Sequence, residues 1–383
     1  MSSRAARIAA GVLSVLAFTV PASAVADDPV SPPNFEILSV GLGGRLGHLT
    51  ANPALDTSPS VSPDGRRVAF VSTRDGEPDV YVMDADGSDV RRVTTSPLDP
   101  TGVPYDESSV AWEDGRTQIS WSPDGSRLAF DARDTSFPPG TCSTNCAVWK
   151  VFVVNVDGTS LRGLAVNSRA PAWSPTGRTI AFASEVQPGG ESLGVTVARL
   201  DGSAVFRVRA YDDVSGAGPA WSPGGASLAF QLRPRLASPA FRIDLVRADG
   251  SRRRRLTQGR SPTWSPDGRQ LAYVRNGRLF TLAANGHAAR RLASSGDVEQ
   301  PAWSPDGRWI AYLRIPFTSA RKGVHRDVPT SKPPRSPTCV VVRPDSGRTR
   351  VLTGFPAGTR WDAGPVWTTD SRRLLFSVAP PSR

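Results

Sequence analysis

The chain has 383 residues, 46 Lys and Arg against 35 Asp and Glu, a formal net charge of +11, three His and three Cys. So few cysteines exclude a small disulfide-built scaffold. Three widely separated histidines (residues 48, 287 and 325) argue against a His-rich metal centre. All but three of the 46 basic residues are Arg. This excess indicates either attraction to an anionic partner or a GC-rich genome that encodes Arg where others encode Lys.

The N-terminus has the features of a secretory signal over residues 1–26. Arg4 and Arg7 precede an apolar stretch at 8–20, and small residues follow it, including Ala22-Ser23-Ala24 and Ala24-Val25-Ala26. The apolar stretch is too short for a confident membrane span. We therefore expect an exported mature protein in the periplasm or cell-wall space, with no membrane span and with residues 27–34 as a linker.

The rest of the chain is a repeat built on the phrase Trp-Ser-Pro-Asp-Gly followed by Leu-Ala-Phe. Seven copies occur, namely 59–70, 118–130, 171–182, 219–230, 262–273, 301–312 and a degraded one at 365–376. Ser-Pro-Asp-Gly is typical of a tight turn, because Pro presets φ and Gly accepts a left-handed backbone. The alternating residues around it predict strands, so each copy is a hairpin.

A second phrase follows each of the first six copies: an apolar strand, an Asp-Gly-like turn and a short basic strand. Two hairpins per repeat predict a four-stranded antiparallel sheet, and seven such sheets arranged radially bury one another. The seventh copy lacks its second phrase, and residues 35–50 supply a candidate for it. We therefore predict an all-β, seven-bladed β-propeller over 35–379. The strands of each blade are lettered A to D from the centre outward. N-terminal strands C and D would pair with C-terminal strands A and B. Six blades are the alternative if the last copy does not close.

The repeat resembles the WD-like repeats of the TolB propeller family over essentially all of 35–379. This resemblance implies the propeller fold and a non-catalytic binding or scaffold function. The family's α/β domain precedes its propeller, and we expect it to be absent here because only residues 27–34 separate the signal from the first strand.

The large insertions lie in B–C and D–A connections, at 95–117, 131–147, 210–218, 315–338 and 354–364. In a propeller these connections share one rim, where recognition commonly occurs, although surface loops also tolerate insertions without function. We predict that a binding rim there engages a protein or an anionic envelope polymer. Its candidate residues are Asp56, Tyr105, Trp112, Arg169, Tyr211, Arg260, Glu299, Trp361 and Asp362.

The sequence contains no nucleophile elbow and no Gly-rich phosphate loop, so no cofactor, metal or catalytic residue is expected. The alternative is an extracellular enzyme that cleaves a glycan or peptide with carboxylates near the channel. Nucleic-acid binding rests on charge alone and is not expected, and we expect a monomer. Cys142 and Cys146 form either a small disulfide loop or two free thiols, and Cys339 is predicted to be an apolar strand residue.

Overall fold

A computed structural model describes residues 34–76, 78–95, 117–134, 148–185, 193–208, 218–232, 241–293, 297–315, 337–354 and 359–379. These residues form 28 strands in seven four-stranded antiparallel sheets. The part of the chain that is described contains no helix, and hence none suited to crossing a bilayer. The predicted seven-bladed β-propeller is confirmed.

Each blade consists of strands A to D in that order. Blade 1 contains β3 (Asp56–Val61), β4 (Arg67–Ser72), β5 (Asp79–Asp84) and β6 (Arg91–Arg92). Blade 2 contains β7 (Ile119–Trp121), β8 (Arg127–Asp134), β9 (Val148–Asn155) and β10 (Arg162–Val166). Blade 3 contains β11 (Ser168–Trp173), β12 (Thr179–Glu185), β13 (Leu193–Arg199) and β14 (Ala204–Val208).

The remaining four blades follow the same plan. Blade 4 contains β15 (Ala220–Trp221), β16 (Ser227–Leu232), β17 (Arg242–Arg247) and β18 (Arg254–Gln258). Blade 5 contains β19 (Arg260–Trp264), β20 (Gln270–Arg275), β21 (Arg278–Ala283) and β22 (Arg290–Ala293). Blade 6 contains β23 (Asp297–Trp303), β24 (Ile310–Ile315), β25 (Thr338–Val342) and β26 (Thr349–Gly354). Blade 7 joins β27 (Arg360–Trp367) and β28 (Arg373–Ala379) to β1 (Glu36–Gly41) and β2 (Leu46–His48).

The ring closes through both ends of the propeller, as predicted. Strand β28 pairs antiparallel with β1, with Phe376 opposite Leu38 and Leu375 opposite Ser39. Strand β1 then pairs with β2. Strand β3 contacts β27 on one side and β7 on the other, so first strands of neighbouring blades meet around the centre. Blade 7 is therefore a composite sheet that ties residues 36–48 to residues 360–379.

The Leu-Ala-Phe phrase of strand B explains how a sheet buries both faces. Leu128 and Phe130 pack into the cluster between blades 1 and 2, whereas Ala129 faces the cluster between blades 2 and 3. Such apolar clusters fill the seams between all neighbouring blades. Large side chains point to the preceding blade and a small one faces the next, so successive sheets interlock.

The repeated Trp lies in these seams. Trp264 packs against Ala229 and Leu245 of blade 4, and its indole Nε1 donates a 3.0 Å hydrogen bond to the Ala220 carbonyl of that blade. Trp121, Trp221 and Trp367 make the equivalent bond to the preceding blade. These four indoles thus combine apolar burial with one directed bond across the seam.

The seam between blades 7 and 1 departs from this pattern at two positions. Blade 1 has Val61 where other blades have Trp, and blade 7 has Leu375 where the others have Ala. Both side chains belong to the same apolar cluster. A smaller residue on one side is matched by a larger one on the other, which conserves the volume of the seam.

We expect deletion of residues 1–50 to lower the melting temperature by at least about 10 °C relative to deletion of residues 1–33. The longer deletion removes β1 and β2, which opens the paired edge of β28 and uncovers apolar side chains of blades 1 and 6 that Ile37, Leu38 and Val40 pack against. Each uncovered large apolar side chain costs about 1.5–3 kcal/mol. Thermal unfolding followed by circular dichroism measures the difference. Equal melting temperatures would contradict closure through blade 7.

The compensated seam predicts coupling between Val61→Trp and Leu375→Ala. Alone, the first overpacks the seam at a cost of about 1–3 kcal/mol, and the second leaves a cavity costing about 2–5 kcal/mol. Together they recreate the Trp–Ala pair of the other seams, so the double variant should be more stable than the sum predicts by about 1 kcal/mol or more. Denaturant unfolding of the four chains measures this coupling. Leu375→Ala combined with Trp264→Phe in a distant seam is the control and should be additive.

Candidate binding rim

The rim formed by the A–B and C–D connections, here called the turn rim, consists of tight turns whose acids serve the turns themselves. Asp64 accepts hydrogen bonds from the Ser62 hydroxyl and, at 3.1 Å, from the Arg66 backbone N–H. The same arrangement around Asp124 lowers the pKa of its carboxyl to about 2, chiefly through the Ser122 and Ser126 hydrogen bonds. These carboxylates accept hydrogen bonds that stabilise the turns, so they are already bonded within the turn rim.

The C–D turns are further constrained by the neighbouring blade. A Cβ added at Gly87, whose φ is +94°, would lie 2.5 Å from the Leu49 carbonyl oxygen of blade 7. At Gly158 it would lie 2.9 Å from the Val93 carbonyl oxygen. Glycine is required there both by backbone conformation and by the close approach of the preceding sheet.

The opposite rim, here called the loop rim, is formed by the B–C and D–A connections. Asp56 opens β3 on this rim but is buried. Its carboxylate accepts hydrogen bonds from Asn52 Nδ2 at 2.9 Å and Arg74 Nη2 at 3.1 Å. Its backbone carbonyl accepts a 2.9 Å bond from the Ser377 hydroxyl of blade 7. These contacts tie the closing seam together.

Arg169, in β11, lies at the entrance to blade 3. Its guanidinium stacks over the Trp149 ring of blade 2, 4.3 Å from the ring centroid, a geometry typical of cation–π contact. Both side chains are partly exposed. The pair places a cation and an aromatic ring together on the loop rim.

Asp131, in strand β8, is buried and lies close to Arg169. Its two carboxylate oxygens accept backbone N–H bonds from Gln118 of blade 2 and, at 3.1 Å, from Ala170 of blade 3. Burial raises the pKa of Asp131 to about 6, against the lowering effect of these bonds and of Arg169. The carboxyl links two blades at the place where Ala170 has a left-handed φ of 55°.

Arg260 and Glu299 are brought together by the fold. Arg260 opens β19 of blade 5 and Glu299 lies in β23 of blade 6, with Arg260 Nη2 3.6 Å from Glu299 Oε1. Their side chains are 34% and 25% exposed, so both charges remain accessible from solvent. The ion pair crosses the seam on the loop rim.

The other predicted rim residues are less fully placed. Trp361 in β27 packs edge-on against Phe376, with centroids 5.4 Å apart. Asp362 is the next residue of the same strand. Tyr105, Trp112 and Tyr211 lie outside the described residues, as do Cys142, Cys146 and the predicted signal segment 1–26. Asp56, Arg169, Arg260 and Glu299 belong to four different blades, and of these the structure pairs Arg260 with Glu299.

Sequence reasoning missed an ion-pair network in blade 1. Asp79 is buried and bonded to Arg92 and to the Thr94 hydroxyl, and the same guanidinium lies 3.7 Å from Asp75. The Tyr81 hydroxyl donates a 2.6 Å bond to Asp75. Burial raises the pKa of Asp79, opposed by the bonds from Thr94 and Arg92. The pairing could have been suspected from Asp79 at the start of strand C and Arg92-x-Thr94 at the end of strand D.

Nucleophile and metal chemistry have little support in the described part of the chain. No group of three or more His, Cys, Asp or Glu side chains there is placed to hold a metal ion. Cys339 is buried in strand β25, as predicted, and burial raises the pKa of its thiol to about 12. His48 in β2 contacts Glu36 at 2.8 Å, and His287 lies in a C–D turn.

The fold and the rim define a class: a seven-bladed β-propeller with a composite closing blade, a turn rim built for stability and a loop rim carrying mixed charges and aromatic rings. A family model described as the TolB beta propeller domain matches residues 33–140 and 140–380. The chain therefore belongs to the TolB β-propeller family.

Individual relatives match more narrowly in sequence. Over 53 residues the chain is 42% identical to the Tol-Pal system protein TolB of Bordetella pertussis, covering 14% of this chain and 12% of that protein. An oligogalacturonate lyase in complex with manganese superposes with a TM-score of 0.57 at 13% identity, covering 91% and 97% of the two chains. A putative TolB from Agrobacterium tumefaciens superposes with a TM-score of 0.51 at 16% identity, covering 91% and 99%. At such identities the structural likeness concerns the fold.

Asp131 predicts a specific pH dependence of stability. Its carboxyl titrates near pH 6 in the folded chain and near about 3.9 when unfolded. Below that lower value it is protonated in both states. As pH rises toward 6 the unfolded state loses this proton first, so the free energy of unfolding falls by about 3 kcal/mol and then levels off.

Comparison with Asp131→Asn isolates this contribution, because the amide does not titrate. The difference in unfolding free energy, wild type minus variant, should fall between pH 4 and pH 6.5, as measured by denaturant unfolding. A difference that stays constant over this range would show that the carboxyl has an ordinary pKa.

Proposed function

We propose that the protein is an exported, non-catalytic binding or scaffold protein of the TolB-like propeller type. Its partner, a protein or an envelope polymer, engages the loop rim. The observation that carries this proposal is the unequal use of the two rims. On the turn rim, acids and glycines are used for tight turns and close blade packing, whereas every large insertion lies in a B–C or D–A connection.

The described side chains of the loop rim are suited to recognition. Arg169 stacked on Trp149 presents an aromatic-backed cation, and Arg260 with Glu299 presents an accessible ion pair. Arg and Trp are the residue types that most often anchor protein interfaces. They stand on strand ends of a rigid ring, which limits the entropy lost when a partner binds.

The state of the described acids favours binding over proton transfer, since three are held in ion pairs and Asp131, whose pKa is raised to about 6, is buried and bonded to backbone N–H groups. A glycosidase needs one carboxyl to donate a proton and a second to act as nucleophile or base. Here Asp56 is bonded to Arg74, Asp79 to Arg92, and Glu299 faces Arg260. Arginine remains protonated in proteins, so these carboxylates are held as ion-pair partners.

A capture experiment with variants of matched charge tests the proposal. Purified wild-type protein is incubated with native envelope and culture medium and cross-linked, and captured molecules are quantified. Arg169→Ala removes one positive charge from the loop rim of blade 3, and Arg178→Ala removes one from the exposed A–B turn of the same blade. We expect Arg169→Ala to weaken binding about tenfold and Arg178→Ala to leave it unchanged.

A third variant replaces residues 98–116 and 316–336 with short linkers and should lose the partner altogether. Melting temperatures of all variants establish that each is folded. Undiminished capture by both Arg169→Ala and the loop-replaced chain would place the binding surface elsewhere. Conversion of a glycan or peptide by the wild-type protein would identify an enzyme instead.

A further inference from the structure

The positive charge of the protein is concentrated in three adjacent blades. The described residues of blades 4, 5 and 6 include seventeen Arg against seven Asp and Glu. Those of blade 1 include five Arg against seven Asp. A solvated basic surface produced by codon usage alone would have no reason to differ so strongly between blades of one repeat.

Much of this charge lies on the outer strands, at the perimeter of the propeller. Strands β18, β22 and β26 contain no acid. Together with residue 348 just before β26 they carry six exposed arginines, here called the Arg band: Arg254, Arg255, Arg290, Arg291, Arg348 and Arg350. Among the described residues, none of the six takes part in an ion pair.

The band repeats with the blades. Arg254 lies opposite Leu245, Arg290 opposite Thr281 and Arg350 opposite Val341. Those partners in turn face the repeated Ala229, Ala272 and Ala311 of strand B. The three arginines therefore occupy the same register in three consecutive blades, which places like charges at a regular step around the perimeter.

Two of these side chains are fixed across the seams by neutral acceptors. Arg254 donates from Nη1 to the Asn285 carbonyl and from Nη2 to the Ala284 carbonyl of blade 5, both at 2.8 Å. Arg290 donates to the Pro344 and Asp345 carbonyls of blade 6 at 3.2 and 2.6 Å. Backbone carbonyls orient the guanidinium without neutralising it, so the positive charge is held in place and remains available.

We propose that the Arg band binds a linear phosphodiester polymer of the envelope. A chain with a phosphate in every repeat can contact the cations of several successive blades at once, and the planar guanidinium suits bidentate contact with phosphate. This surface is separate from the loop rim, so the inference holds whether or not the loop rim has a partner.

Other polyanions fit the band less well. Anionic lipid headgroups also attract exposed arginines, but membrane binding strengthens with apolar or aromatic groups that insert, and on these three strands Val351 is the one large apolar side chain that is strongly exposed, at 51%. A single-stranded nucleic acid would require aromatic rings for base stacking, and the three strands contain none. In blade 1 the Arg of this register, Arg91, lies 3.3 Å from Asp89, so its charge is partly compensated.

The test measures binding of the full mature chain to polyglycerol phosphate by calorimetry over a range of salt concentrations. The band variant carries Arg254→Gln, Arg290→Gln and Arg350→Gln. The control variant carries Arg66→Gln, Arg178→Gln and Arg199→Gln, three exposed arginines of blades 1 and 3. Both lose the same net charge. A second band variant, with Arg255→Gln, Arg291→Gln and Arg348→Gln, avoids the cross-seam bonds and serves if the first does not fold.

We expect the band variants to bind at least about tenfold more weakly than wild type and the control within about twofold. The slope of log Kd against log salt should fall by about two when three phosphate contacts are lost. Equal weakening of band and control variants would overturn the proposal, because only net charge would then matter. Equal affinity for polyglutamate, or tighter binding of duplex DNA at matched charge, would overturn the assignment to an envelope phosphodiester. If only the loop-replaced variant lost binding, the polymer would bind at the loop rim and not at the Arg band.

Discussion

The structure depends on the interlocking of large and small side chains between neighbouring sheets. A four-stranded sheet of this composition has two apolar faces, and a single blade can cover neither of them. Leu128 and Phe130 fill one seam while Ala129 makes room in the next, and the Trp173 indole occupies that room. Because every blade has both faces to cover, the chain must form a closed ring, and blade 7 must combine both ends of the propeller.

This constraint determines where the molecule is free to vary. The side chains in the strand interiors pack in the seams and cannot change size freely. The turn rim is likewise constrained, because its Asp-Gly turns lie in close contact with neighbouring outer strands. The surfaces left over are the loop rim and the outer strands. They vary in different ways, since the loop rim differs in connection length and the outer strands differ in charge.

Much of the fold could be predicted from sequence because a short repeated phrase supplies the side chains that pack in each seam. Leu-Ala-Phe fixes which side chains face which neighbour, and Ser-Pro-Asp-Gly fixes the turn between them. The rim residues were harder to assign, because their roles depend on contacts between repeats. Asp56 was expected to contribute to the binding rim, and it is buried against Arg74 at the closing seam. Asp131 is the one charged residue at its repeat position, a departure that could have directed attention to it. The other repeats have Val71, Ala183, Gln231, Val274, Leu313 and Ser377 there.

The same reasoning applies to the arginines. Codon preference would affect all repeats alike, so it explains why the basic residues are Arg rather than Lys but not why they cluster. Within one repeat position, Arg91 has an acidic neighbour, whereas Arg254 and Arg290 are oriented by neutral carbonyls. These hydrogen bonds join neighbouring blades, but they leave the charge of each guanidinium uncompensated, and like charges in adjacent blades repel one another. Seam stability accounts for the bonds, whereas an external anion accounts for a row of positive charges without acidic partners.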